Sequence, residues 1–417
     1  MPGSGFAAAR ARDRLQIASR RDWSSIAEPP PALAFAHTTG VTKGLTKEGG
    51  RVAMQKVMIH PASYQDCQAA VDRAFELFPV AITGRKVFIK PNVLRPANPE
   101  EAITTHPAVL EAVVRAVEAR NPAAIVVGDN GGLMAYGANE TSFERCGLTA
   151  ASHGHYKNIG LEAVEMPFDA AYGGKVSISK DIAEADVLIS LPKFKTHGLT
   201  CLTGAIKNSY GLLLGAQKAQ FHKLSGGPVG FHEMLPQVYA LRVPDLIIMD
   251  AVLGMQGNGP ASTELRYIGR VLASNNGVAL DAVVARMMGV DPAKVGFLIK
   301  AKAMGLGDYR EEAITLDGVL APIPDFKAPP LEEEDIMAHR DNLDSLVAER
   351  LSRRPVADPE RCSRCGVCVE QCPQEALAFG DGGVPVVDAA ICIACYCCQE
   401  MCPEKAMTLK NPAQRAA

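Results

Sequence analysis

Two groups of four cysteines near the C-terminal end of the chain have a spacing typical of iron ligands. In each group three cysteines recur at every third position, and a fourth comes four positions later, directly before a proline. The first group is Cys362, Cys365, Cys368 and Cys372, and the second is Cys392, Cys395, Cys398 and Cys402. Such a run reaches three irons of one [4Fe–4S] cluster, and the cysteine before proline ligates the other cluster of the pair. The spacing therefore predicts two [4Fe–4S] clusters, one held by Cys362, Cys365, Cys368 and Cys402, the other by Cys392, Cys395, Cys398 and Cys372.

Zinc and disulfide bonds are the alternative uses of so many cysteines, and the sequence favours neither. Zinc sites use paired C-x2-C units rather than this longer run. A disulfide framework forms in an oxidising compartment, and no signal peptide is visible. One further cysteine, Cys397, adjoins Cys398 in the second group. We expect Cys397 to pack as a small apolar residue, with exchange as a cluster ligand as the alternative.

The segment that carries these cysteines, residues 354–411, is an internal duplication. Each half continues from its last cysteine into Pro-x-x-Ala and then a short strand, at 377–379 in the first half and 407–409 in the second. The repeat predicts a compact α+β domain of the two-cluster ferredoxin type. We expect pseudo-twofold symmetry, with the two clusters side by side.

Composition excludes several classes of protein. A net charge of −3 gives no general attraction to nucleic acids or anionic membranes. No apolar run reaches the roughly 18 residues that a membrane helix needs. Nine of the twelve cysteines lie in the ferredoxin segment, so the larger N-terminal part is not built on disulfide bonds. We expect a cytoplasmic protein without a nucleic-acid partner or a membrane span.

The body of the chain, residues 54–321, alternates between apolar strands and amphipathic helices. Segments 124–129, 186–191 and 245–250 are mostly apolar throughout, as in strands that are buried on both faces. This pattern predicts an α/β body with a mainly parallel sheet and helices on both faces.

The segments that flank the body differ from it in composition. Residues 1–53 have no periodic apolar face, which predicts a disordered extension, or a start codon assigned too early with Met54 as the true start; a targeting or interaction arm is the alternative. Residues 322–353 begin with four prolines and continue with apolar residues at helical spacing. They predict a linker that ends in a connecting helix, with a solvated tether as the alternative.

Polar residues are concentrated where the predicted body strands end, which is where open parallel sheets bind ligands. The densest group is Lys193, Lys195 and His197, which we expect in a loop. Lys207 and Asn208 follow in the next predicted helix. Together with residues at other strand ends, this group predicts a cationic pocket that binds phosphate or carboxylate.

The predicted residues fall into two roles. We expect acid–base chemistry from Lys195, His197 and Asp129. We expect binding of a cofactor or anion from Lys90, Asn92, Lys193, Lys207, Asn208 and Asp250. The alternatives are a solvated loop for the lysines, a hydrogen-bonded structural histidine, and caps of loops or helices for the aspartates. The glycine-rich segments 128–132 and 254–259 lack the phosphate-binding fingerprints of nucleotide sites.

Several of these motifs together resemble one family. Segments 191–197 and 203–208 read Leu-Pro-Lys-Phe-Lys-Thr-His and Thr-Gly-Ala-Ile-Lys-Asn, and they resemble the domain-of-unknown-function-362 (DUF362) family. Lys90-Pro91-Asn92, Gly128-Asp129 and Gly257-Asn258-Gly259-Pro260 do so too. Because members often carry a C-terminal two-cluster ferredoxin, the resemblance covers about residues 57–317 and the tail. It implies an α/β fold and a redox association, without a settled substrate. One departure is Gln256, where the family pattern implies an acidic residue.

The fusion of an iron–sulfur domain to a body with a cationic pocket favours an oxidoreductase. Electrons would pass between the two clusters and an anionic substrate or cofactor, and fusion gives the donor a high effective concentration at its acceptor. The alternative is a non-catalytic electron carrier, or an accessory or activation factor for another metalloenzyme. The expected partner is therefore a redox partner protein or an anionic small molecule.

Overall fold

The computed structural model describes residues 54–132, 137–329 and 353–410, which belong to one compact unit. The predicted disordered extension of residues 1–53 lies outside the described residues, and so does the predicted connecting helix apart from its last residue.

The body contains eleven described strands and ten described helices. The strands are β1 Gln55–Pro61, β2 Lys86–Pro91, β3 Ala124–Val127, β4 Ala163–Pro167, β5 Lys175–Ser179, β6 Val187–Leu191, β7 Lys193–His197, β8 Cys201–Leu202, β9 Leu246–Met255, β10 Leu265–Ser274 and β11 Ile314–Asp317. The helices are α1 Gln68–Leu77, α2 Pro107–Glu118, α3 Ala138–Arg145, α4 Leu148–Ala151, α5 Lys180–Ala183, α6 Gly204–Asn208, α7 Gln217–Ser225, α8 Pro228–Leu241, α9 Gly277–Met287 and α10 Gly296–Ala303.

The main sheet is mixed but mostly parallel, in the order β11-β1-β10-β9-β6-β2-β3. Strands β9, β6, β2 and β3 pair in parallel, and β10 runs antiparallel to both of its neighbours, β9 and β1. Strand β7 adds to the sheet beside β9, and β8 pairs with β7. The prediction of a mainly parallel α/β sheet is confirmed.

Helices cover both faces of this sheet because successive strand residues point to opposite sides. Phe88 and Leu188 face a core that contains residues of α8, α9 and α10. Ile89 and Ile189, one position further on, face a second core that contains residues of α1 and α2. The continuous apolar strands of the sequence thus serve two cores at once.

Strand β7 is the largest departure from the predicted secondary structure. Residues Lys193–His197 were expected in a loop because of their charges, yet they form a parallel strand in which every residue is buried. Burial of these charges is possible because other parts of the chain supply their partners. Helix α6 is also shorter than predicted, so Lys207 and Asn208 lie in its last turn.

The start of α6 is held by the buried carboxylate of Asp281 in α9. Its two oxygens accept hydrogen bonds from the backbone N–H groups of Ala205 at 2.6 Å and Ile206 at 2.9 Å. Gly204 has φ +58°, and a Cβ there would lie 2.3 Å from Asp281 Oδ1, so only glycine fits. Burial raises the pKa of Asp281 to about 7, although the two N–H donors oppose the shift.

The raised pKa of Asp281 predicts a specific dependence of stability on pH. A carboxyl group whose folded-state pKa is raised stabilises the fold below its unfolded pKa, and this stabilisation is lost as pH rises through about 7. We expect the free energy of unfolding of the wild type to fall, relative to that of Asp281→Asn, between the unfolded pKa of 3.8 and the folded pKa of about 7 in urea titrations, and to stay level above it. The matched control is Asp291→Asn, because Asp291 is an exposed carboxylate that also caps a helical turn. A wild-type-to-variant difference that stays constant with pH would contradict the prediction.

The ferredoxin domain contains four described strands and two short helices. They are β12 Arg354–Ala357, α11 Val367–Glu370, β13 Leu377–Phe379, β14 Pro385–Val387, α12 Cys397–Met401 and β15 Met407–Lys410. Strand β12 pairs with β15, and β13 pairs with β14, both antiparallel. Each helix begins within its cysteine run and contains the third cysteine of that run, so the two halves repeat the same local structure.

Candidate functional site

The ferredoxin domain packs against the carboxyl-terminal ends of the body strands. Glu400 of α12 lies 3.1 Å from His197 at the end of β7. The side-chain amide of Gln399 donates to the backbone carbonyl of Asn258 at 2.7 Å, just beyond β9. Leu409 of β15 belongs to the hydrophobic core of the body. Helix α12 is thereby placed where the sequence predicts a ligand site.

Two cavities in the ferredoxin domain separate the eight cysteines into two groups. A cavity of about 310 Å³ is lined by Cys362, Cys365, Cys368 and Cys402. A second, of about 330 Å³, is lined by Cys372, Cys392, Cys395 and Cys398. Each cavity thus combines three cysteines of one run with the cysteine before proline of the other run. We call the first the outer cysteine cavity and the second the inner cysteine cavity.

The remote cysteine of each group has the same backbone environment. The N–H of Ala376 donates to Cys372 Sγ, and the N–H of Ala406 donates to Cys402 Sγ, each at 3.2 Å. Hydrogen bonds of this kind stabilise negative sulfur in metal sites. The repeated Pro-x-x-Ala of the sequence places these donors.

The grouped thiols are better explained as ligands of a metal cluster than as free thiols packed together. Burial, followed by the neighbouring thiols of Cys402, Cys365 and Cys362, raises the pKa of Cys368 to about 11. Four thiolates gathered in one place repel each other, whereas iron ions supply the positive charge that keeps cysteine ligands ionised.

A third cavity, in which the centre of a water-sized molecule can occupy about 90 Å³, lies between the body and the ferredoxin domain. We call it the interface cavity. Its body side includes Asn92, Asp129, Asn130, Lys207, Asn208, Tyr210, Lys218 and His222, and its ferredoxin side consists of Gln371, Cys397, Glu400 and Met401. Cys397 also lines the inner cysteine cavity, so one side chain separates the two spaces.

The nine predicted site residues of the body do not form a single pocket. Asn92, Asp129, Lys207 and Asn208 line the interface cavity. The other five, Lys90, Lys193, Lys195, His197 and Asp250, lie behind it in the fold.

Two of the predicted lysines are paired with the two predicted aspartates. Lys90 Nζ lies 2.6 Å from Asp129 Oδ1, and Lys193 Nζ lies 2.7 Å from Asp250 Oδ2. All four side chains are at most 2 % exposed. Tyr64 adds a hydroxyl that donates to Asp250 at 3.2 Å. A buried lysine that is already paired with a carboxylate gives little attraction to an external anion. Anion binding in the predicted pocket therefore depends on the lysines that are not paired in this way.

Lys195 and His197 are buried beside the interface cavity. Lys195 Nζ donates to the backbone carbonyl of Ile103 at 2.7 Å, and burial, followed by the charge of Lys207, lowers its pKa to about 7. His197 Nδ1 accepts from the N–H of Leu199, which places the ring proton of the neutral histidine on Nε2, facing Glu400. Burial lowers the pKa of His197 to about 4, so the ring is neutral near pH 7.

Glu400 remains ionised in this setting. Burial opposes its ionisation, but the charge of Lys207 and the Nε2–H of neutral His197 outweigh that effect and hold the pKa of Glu400 well below its usual range. The ferredoxin domain therefore contributes a carboxylate to the wall of the interface cavity.

Several residues of the interface cavity are missing from the sequence prediction. Lys218 and His222 belong to α7, which follows the conspicuous motif by about ten residues and has no pattern that marks a site. Glu400 and Met401 lie within a cysteine run. The cluster motif alone explains that run, so nothing in the sequence marks these two residues as part of a second site. Their shared role depends on the packing of one domain on the other.

The sequence matches two family models. The family described as "Domain of unknown function (DUF362)" matches residues 87–286, and the "4Fe-4S binding domain" matches residues 355–378. A curated relative, a thylakoid-associated protein of Synechocystis sp., is 30 % identical over 240 residues, which are 55 % of this chain and 71 % of the relative.

Two solved structures show a low overall similarity. A Thermotoga maritima protein has a TM-score of 0.36 and 11 % identity, over 58 % of this chain and 59 % of that one. The lactate racemase apoprotein of Thermoanaerobacterium thermosaccharolyticum has a TM-score of 0.36 and 14 % identity, over 57 % of each chain. This chain therefore spans less than two thirds of either protein. Among the described residues, no helix has both the length and the apolar character that crossing a membrane requires.

Proposed function

This chain belongs to the DUF362 family and carries a 4Fe-4S binding domain, and on that premise we propose that it transfers electrons between two [4Fe–4S] clusters and a small anion bound in the interface cavity. Such clusters accept and donate single electrons. Cys362, Cys365, Cys368 and Cys402 would hold the outer cluster, and Cys392, Cys395, Cys398 and Cys372 the inner one.

The observation that carries this proposal is the position of Cys397. This residue lines both the inner cysteine cavity and the interface cavity. A ligand in the interface cavity would thus lie one side chain away from the inner cluster. An electron-transfer site of this kind needs no moving domain, because the packing of α12 on the body already sets the separation.

The body contributes lysine side chains to the proposed site. Lys207 and Lys218 line the cavity, and a lysine in its ammonium form suits phosphate or carboxylate. The outer cysteine group includes Cys365, which is exposed at the protein surface. A redox partner protein would exchange electrons there, on the side away from the ligand. A reducing compartment such as the cytoplasm would keep the cysteines available for cluster assembly.

Anaerobic reconstitution tests the proposal. We expect about eight irons per chain, and, after reduction, an electron paramagnetic resonance (EPR) spectrum broadened by two interacting clusters. Addition of phosphate-bearing or carboxylate-bearing metabolites should alter the inner-cluster signal. About four irons per chain would rule out the second cluster. An EPR signal that no anion affects, together with stable capture of another metalloenzyme, would favour a carrier or an accessory factor instead.

A further inference from the structure

Lys207 has no carboxylate within ion-pair distance in the described part of the chain, although its charge and that of Glu400, in the same cavity, interact at longer range. It lies in the last turn of α6, and its Nζ is 5.5 Å from the ring centroid of Tyr210 and 5.8 Å from that of Phe231. Aromatic faces of this kind attract an ammonium group and hold it in place while leaving its N–H donors available. Lys207 is therefore positioned to bind an anion directly.

Lys218 supports the same charge preference from the other side of the cavity. Its Nζ donates to the backbone carbonyl of Gly131 at 2.8 Å and also to that of Asn130. Burial lowers the pKa of Lys218 to about 7, so the group is only partly charged near neutral pH, and a bound anion would favour its ammonium form. Lys218 thus adds positive charge when an anion is present, while Lys207 offers the donors.

Besides Glu400 Oε1, which lies near His197, two buried polar atoms of the cavity lack a hydrogen-bond partner among the described residues. They are Asn92 Oδ1 and His222 Nδ1, in side chains that are only 8 % and 6 % exposed. Buried polar atoms are almost always hydrogen-bonded, because an unpaired one loses its interaction with water and gains nothing in return. Both side chains line the interface cavity, so a bound molecule is the natural partner.

The ring of His222 is held rigidly at this wall. It stacks on Phe231 with a centroid separation of 4.4 Å and an interplanar angle of 9°. Burial lowers the pKa of His222 to about 3, so the ring is neutral near pH 7. A neutral imidazole offers one acceptor and one donor, which suits a hydroxyl group rather than a second negative charge.

We propose that the interface cavity binds a small hydroxylated anion, with its phosphate or carboxylate on Lys207 and its hydroxyl groups on Asn92 and His222. The centre of a water-sized molecule can occupy about 90 Å³ of this cavity, and one water needs about 10–15 Å³, so several waters or one small metabolite fit. This inference rests on the proposed function, because it names the class of molecule with which the inner cluster would exchange electrons.

Anaerobic calorimetry on the reconstituted full-length protein tests the inference with four probes. Glycerol 3-phosphate and glycerate are hydroxylated anions, whereas inorganic phosphate and glycerol each have only one of the two features. We expect at least one of the hydroxylated anions to bind about tenfold more tightly than either partial probe. A preference between these two anions identifies the charged group as phosphate or carboxylate. Equal binding of inorganic phosphate and both hydroxylated anions would overturn the inference.

Substitutions then assign the contacts. Lys207→Met should weaken binding of the preferred anion by about tenfold to a hundredfold, the usual effect of losing a hydrogen bond to a charged group. Lys207→Arg should retain binding, and Lys223→Met, at an exposed lysine of α7, is the matched control. His222→Phe keeps the ring stack and should weaken the hydroxylated anion but not inorganic phosphate. Unchanged affinity in Lys207→Met, with its melting temperature and iron content also unchanged, would contradict the assignment.

The cluster spectrum separates this inference from the proposed function. Binding of the hydroxylated anion without any change in the EPR signal would count against electron transfer to the cavity while supporting the ligand class. Failure of all four probes to bind a protein with both clusters intact would overturn the ligand class alone.

Discussion

Replacing Cys398 by serine is expected to lower the iron content from about eight to about four per chain, whereas replacing the adjacent Cys397 by alanine should leave it unchanged. The physical reason is the assignment of thiols to cavities. Cys398 belongs to the group of four that surrounds the inner cysteine cavity, and serine is a poor ligand for iron in place of a thiolate. Cys397 lines the same cavity, but it lies outside the repeated pattern of cysteines.

Iron and sulfide determination, together with EPR spectroscopy after anaerobic reduction, measures this difference. The Cys398→Ser variant should lose the broadening that comes from two interacting clusters and show the spectrum of a single outer cluster. The matched variant Cys365→Ser removes a ligand of the outer group and should leave the inner cluster, with its response to cavity anions. Loss of iron in Cys397→Ala would show instead that Cys397 serves as a ligand.

Replacing Asp250 by alanine is expected to destabilise the body by about 3–5 kcal/mol, because it leaves the buried ammonium group of Lys193 without its counter-charge. The carboxylate of Asp250 lies 2.7 Å from Lys193 Nζ, and both side chains are fully buried. It also accepts hydrogen bonds from the Tyr64 hydroxyl at 3.2 Å and from the backbone N–H of His106 at 2.9 Å. The backbone N–H of Val252 donates to it as well, at 3.2 Å, so one substitution removes the shared acceptor of four donors.

Urea unfolding of the reconstituted protein measures the loss of stability. Glu165→Ala is a matched control, since Glu165 pairs with Lys175 on the surface, where both side chains are well exposed. Such exposed pairs contribute at most about 1 kcal/mol. The double variant Lys193→Met/Asp250→Leu should recover much of the lost stability, because it removes both charges from the interior. Equal effects of Asp250→Ala and Glu165→Ala would refute this account of the pair.

The sequence identified most of the architecture, for reasons that are local. Apolar runs such as that of β6 fit strands that are buried on both faces, and they do form the centre of a mostly parallel sheet. The start of α2 at Pro107 also follows from sequence, because proline suits the first turn of a helix and His106 supplies a cap. The match of a 4Fe-4S binding domain at residues 355–378 agrees with the cysteine spacing.

The candidate site was predictable only in part, because the positions of charged residues in the sequence do not show which residues they pair with in the fold. The charges of Lys193 and Lys195 are typical of a solvated loop, yet both residues lie in a buried strand. Lys90 and Lys193 each lie beside an aspartate that is remote in sequence. The sequence placed these lysines and aspartates at strand ends, but it did not show that they cancel one another.

By itself, the sequence determined the iron–sulfur motif, the α/β body and the strand ends at which polar residues gather. Those features depend on spacing and periodicity along the chain, which are visible without coordinates. Only the tertiary structure decided that α12 packs on those strand ends, that Glu400 meets His197, and that Cys397 separates two cavities. Each of these contacts joins residues that are far apart in the chain, so their proximity is set by how the two domains pack and not by any local pattern.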